Sequence, residues 1–136
     1  MDDLNTTTEI VDVREARRRL EVVRPIVAAM MRVAEEIGEI RGLLSVSPRM
    51  PVESRRAHFD RLERLHGELD QMVRQLNREG AVVKSALDGL IDFYAWRDGE
   101  LVLLCWRHGE EALSHWHGMK AGFAGRQPID GDPHLG

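Results

Sequence analysis

The sequence predicts an α+β fold: a long antiparallel helical hairpin, coiled-coil-like and kinked at Pro25, followed by a small antiparallel β-sheet of two or three strands. Three observations carry this reading. Apolar residues recur every three or four positions between residues 13 and 44 and again between 62 and 76, the period of helices that share a seam. Residues 45–51, SVSPRMP, interrupt the pattern with two prolines and read as the turn of the hairpin. Residues 90–96 and 101–107 are β-prone apolar runs joined by Asp98-Gly99, the pair favoured in a two-residue type I′ turn.

A chain of 136 residues is one domain's worth. It divides into the hairpin (12–79), a β subdomain (81–127) and a flexible tail (128–136), with residues 1–11 as a polar lead-in. Phe59 is the only aromatic before Phe93, so the compact core is expected late in the chain. A net charge of −4 offers no bulk attraction for phosphate backbones and argues against nucleic acid as a partner. Cys105 is the only cysteine, which excludes an intrachain disulfide and points to a reducing compartment. The acidic start lacks the pattern of a secretory signal, and no run approaches the ~20 apolar residues of a membrane helix. The expected location is the cytoplasm.

Asp12 is placed to cap the first helix, with Glu15 three residues on. Val13, Ala16, Leu20, Val23, Val27, Met30, Ala34, Ile37 and Leu44 form its seam, and Ile26, Val33 and Ile40 widen it. That surplus row calls for the sheet, a second copy of the chain or another protein, so a homodimer is expected. Pro25 removes one helical hydrogen bond and predicts a kink at residues 22–24. The second helix spans about 52–78 on Leu62, Leu65, Leu69, Met72 and Leu76, and Gly80 stops it. Arginine far outnumbers lysine, mostly on exposed helix faces, and is weak evidence for a ligand.

The Asp98-Gly99 turn sets the register of the two runs, placing Asp92 opposite Cys105 and Phe93 opposite Leu104. Ile91, Phe93, Ala95, Val102, Leu104 and Trp106 then share a wholly apolar face, expected under the helices. The other face is mixed and includes Asp92, Leu103 and Cys105. Residues 112–117 have the length of a third strand. With Trp116 on the apolar face, alternation sets Leu113, His115 and His117 on the mixed one.

The phrases GLIDFYAWRDGE, LLCWRHGEE, SHWHGM and AGFAGRQPI, following the helical hairpin, resemble the bacterial family called domain of unknown function 2203 over nearly the whole chain. The matching positions are Asp92, Phe93, Asp98, Gly99, Cys105, Trp106, Gly109, Glu110, Trp116, His117, Gly122 and Arg126. Tyr94 replaces a proline of the family pattern and His115 an aromatic, so the resemblance does not imply a metal site that needs His115. It implies a fold and a set of side chains, and no activity.

The candidate functional cluster is Asp92, Cys105, Glu110, His117 and Arg126. Cys105, His117, His115 and Asp92 are of the types that ligate zinc or iron, and His115-Trp116-His117 is a strand-compatible pair, but neither C-x-x-C nor H-E-x-x-H spacing is present. No other cofactor is suggested. A Cys105 nucleophile with His117 as base ranks lower, because a mid-strand cysteine is usually packed. The leading reading is a non-enzymatic interaction or oligomerisation module, with a metal-binding protein or metalloenzyme as the alternative.

Overall fold

The computed structural model describes residues 4–136; the first three residues of the lead-in lie outside the described residues. Helix α1, Val13–Val46, begins where Asp12 Oδ1 accepts the Glu15 amide at 2.7 Å, satisfying one of the amides a helix start leaves free. It continues through Pro25 and ends at Val46, two residues into the stretch read as the turn. Helix α2, Val52–Arg78, returns antiparallel and stops before Gly80, whose φ of +84° is costly for any side-chain-bearing residue.

The seam of α1 splits between two cores. Ala16, Leu20, Val23, Val27 and Met30 pack with Val73 and Leu76 of α2 over the sheet. Val33 and Ile37 pack with Leu62 and Leu65 further out along the hairpin. The row expected to need a partner is used within the chain: Ile26 packs on the first core, Val33 is part of the second, and Ile40 lies against it. The α1 arginines are also not merely solvated. Arg17 donates to Leu113 O, Arg19 to Glu79 O and Arg24 to Glu110 O, so α1 grips residues 110–113 and the end of α2.

The sheet has five antiparallel strands in chain order rather than two or three: β1 Ala81–Ser85, β2 Leu90–Arg97, β3 Glu100–Arg107, β4 His115–Gly118 and β5 Gln127–Pro128. The first, whose sequence AVVKS reads as a short extended piece over residues 81–84, is irregular at Val83/Ser85, and the last is two residues ending in proline without a strand-like sequence pattern. At the β2–β3 turn, Asp98 and Gly99 have φ of 49° and 78°, the left-handed pair a type I′ turn requires. The register follows as expected, with Asp92 opposite Cys105 and Phe93 opposite Leu104. Ile91, Phe93, Ala95, Val102, Leu104 and Trp106 are buried together beneath the helices. Leu113 departs from the expected mixed face and joins this core, because β4 starts only at His115 and alternation does not reach back to it.

Both ends of the chain are tied to the sheet. Asn5 bonds both the amide and the carbonyl of Val83 at the outer side of β1, in the manner of a neighbouring strand, and Val11 donates to Tyr94 O at 2.8 Å. In the segment read as a tail, Ile129 is buried and donates to Ser114 O, while Leu135 bridges to Arg97. Among the described residues, no helix is long and apolar enough to cross a membrane.

Pro25→Ala restores an amide donor whose loss in a helix interior costs about 3 kcal/mol. We expect the variant to fold and to melt no lower than the parent. A fall in Tm would mean that a bend made by the ring is used in seating α1 on the sheet.

Candidate metal centre

The face of the sheet away from the helices is roofed by residues 119–126, including the short 3₁₀ turn Phe123–Gly125. Under this roof, strand register brings three chemically distinct side chains together. Asp92 of β2 faces Cys105 of β3, and His117 of β4 stands opposite Leu103, one side-chain step along the same face. One carboxylate oxygen, the Cys105 Sγ and one imidazole nitrogen lie within 4.8 Å of one another. All three residues are buried, Asp92 completely.

The hydrogen bonds restrict the protons. His117 Nδ1 faces the carbonyl of Gly118 at 2.9 Å, and a carbonyl only accepts, so Nδ1 carries hydrogen. Its Nε2 faces Asp92 Oδ2 at 3.1 Å, and that contact needs a further proton between the two groups. Lys84 Nζ approaches the same oxygen at 3.9 Å, whereas Asp92 Oδ1 is buried with no hydrogen-bond partner. Burial raises the Asp92 pKa, and the His117 charge, the Cys105 thiol and the Lys84 charge pull it back only in part. Burial, and then the Asp92 charge, pushes the Cys105 thiol up to about 12. At neutral pH Cys105 is therefore a thiol, which removes the basis for a resting thiolate nucleophile.

Glu110, Arg126 and His115 form a separate, neighbouring group. Arg126 Nη2 donates to both Glu110 oxygens at 2.8 Å, and His115 Nδ1 accepts from it at 3.0 Å. It also reaches Cys105 O at 3.4 Å, and its guanidinium lies 4.4 Å from the centre of the Phe123 ring. Glu110 Oε1 accepts the Arg107 amide at 2.7 Å. This group holds the roof to β3. Although His115 pairs with Cys105 across the strands, its ring is engaged by Arg126, so His115 and Glu110 are not among the three clustered donors.

A cavity of about 270 Å³ is lined by two of the three donor residues, Asp92 and His117, and by Lys84, Leu103, Met119 and Phe123, among others. Lys84 is the charged cavity residue that sequence reasoning missed. Its signal is alternation from Val82, which pairs with Asp92, but the irregularity at Val83/Ser85 hides the register of β1.

A family model described as "Uncharacterized conserved protein (DUF2203)" matches residues 9–129. No curated protein and no solved structure matches the chain.

Asp92→Asn tests the electrostatic reading. An asparagine amide can donate to His117 Nε2 without burying a charge. Because the folded-state pKa of Asp92 is raised above the ordinary 3.8, the unfolded chain ionises first and the parent loses stability as pH rises through that interval. The variant lacks this loss. Its Tm relative to the parent should therefore rise from acid to neutral pH, and a difference that stays flat across melts at several pH values would contradict the assignment.

Proposed function

The chain belongs to the DUF2203 family of uncharacterized conserved proteins, and we propose that it is a metal-binding protein, with Asp92, Cys105 and His117 as ligands. The observation that supports this most is the convergence of buried sulfur, nitrogen and oxygen donors beside a cavity, with Asp92 Oδ1 left without a partner. Three protein ligands and one position left for water or another molecule is the usual arrangement at reactive zinc sites. A thiolate, an imidazole and a carboxylate suit Zn²⁺ or Fe²⁺ better than the hard cations Mg²⁺ or Ca²⁺. We assign the protein to the cytoplasm, where the lone Cys105 stays reduced.

Binding would require the Cys105 proton and the proton between Asp92 and His117 to leave. Affinity should then fall as pH is lowered, and metal uptake should release protons. Metal analysis of freshly purified protein, followed by titration of the stripped protein with Zn²⁺ and Fe²⁺, is expected to give about one ion per chain and at least a tenfold weaker site in Cys105→Ser. Failure of either ion to bind would leave the Asp92–His117 pair a structural feature of the sheet.

A second reading, self-association, is favoured by apolar residues near the hairpin turn. Leu43, Val46, Val52 and Phe59 are all exposed, Val46 to 77%. We propose that two copies pair through this end of the hairpin. Light scattering is expected to give a dimer, and Val46→Glu with Phe59→Glu a monomer of unchanged Tm. A monomeric parent at high micromolar concentration would rule this out.

A further inference from the structure

The cavity beside the proposed metal ligands has an uneven lining that suggests what occupies it. Asp92, His117 and Lys84 supply its polar part, and Leu103, Met119 and Phe123 contribute apolar wall. At about 270 Å³ it falls just below the roughly 300–1,000 Å³ of pockets for drug-sized ligands, so the occupant is small. Asp92 is completely buried, and its Oδ1 has no hydrogen-bond partner.

Charge decides the class of ligand. The Cys105 thiolate and the Asp92 carboxylate together neutralise a divalent ion, and His117 adds no charge as a ligand. The ammonium of Lys84, 3.9 Å from Asp92 Oδ2 and with its side chain 41% exposed at the cavity, then has beside it only a carboxylate already neutralised by the metal. A cation so placed at a cleft that also holds a metal ion attracts an anion to it. Resting on the metal-binding reading above, we propose that the cavity binds a small organic monocarboxylate. Its carboxylate takes the open metal position beside Lys84, and its short apolar body lies against Leu103, Met119 and Phe123.

The test uses the full-length protein loaded with Co²⁺, whose visible spectrum reports its ligands. Butyrate is titrated against 1-butanol, its uncharged counterpart, and against inorganic phosphate, an anion without an apolar body. We expect butyrate to change the spectrum saturably, 1-butanol to leave it unchanged and phosphate to bind more weakly than butyrate. Lys84→Met should keep Co²⁺ and weaken butyrate by about tenfold or more. Co²⁺ uptake without a butyrate response, an equal response to 1-butanol, tighter binding of phosphate, or an unchanged butyrate affinity in Lys84→Met overturns the carboxylate assignment alone. Absence of Co²⁺ uptake overturns the metal reading, and this assignment with it.

Discussion

Two residues in left-handed backbone conformation, Asp98 and Gly99, determine which side of the sheet each side chain of β2 and β3 faces. Side chains alternate along a strand, so a slip of one residue would send Phe93 and Trp106 to the roofed face and Asp92 and Cys105 into the helical core. The penalty for such a slip is large on both counts: aromatic area would lose its burial, and a carboxylate would enter a wholly apolar layer. The hairpin turn and the hydrophobic pattern therefore specify the same register. The helices enforce it, because Leu20, Val23, Val27 and Met30 provide a surface only apolar residues can match.

Burying Asp92 works against folding. A carboxylate removed from water needs compensation, and here His117, the Cys105 thiol and Lys84 supply part of it while Oδ1 is left without a hydrogen-bond partner. A sheet selected only for stability has little use for this arrangement, since an apolar residue opposite Cys105 would pack without an electrostatic cost. Local costs of this kind recur where a protein binds something, because a ligand supplies the missing partner. The neighbouring Glu110–Arg126 pair is more fully bonded, although Arg126 Nε is also buried without a hydrogen-bond partner. Both Glu110 oxygens are bonded and Arg126 also reaches a β3 carbonyl, which suits an interaction that holds the roof in place.

The helical hairpin divides its work along its length. Near the sheet, α1 covers the apolar face and its arginines bind carbonyls at residues 110–113, limiting how far the β3–β4 connection can move. Further out, the two helices contact only each other, through Leu62, Leu65, Val33 and Ile37 and an Arg61–Glu36 ion pair at 2.7 Å. That outer part contributes no residue to the cavity at Asp92.

Local sequence by itself determined the helix start at Asp12, the span of α2, the stop before Gly80 and the pairing of β2 with β3, because each is set by interactions between residues near in the chain. The placement of Asp92, Cys105 and His117 on one face was legible for the same reason: alternation needs only a turn of known geometry and a strand that follows. Tertiary structure decided the rest. The strand β5 exists because its neighbour offers it hydrogen bonds, Leu113 enters the core because the chain before His115 is not extended, and His115 is drawn to Arg126 from a roof that follows β4. Lys84 reaches Asp92 through an irregular strand. The row Ile26, Val33 and Ile40, which as a pattern could belong to any interface, is satisfied within the chain, because the periodicity of a helix states that a face is apolar and only packing states what covers it.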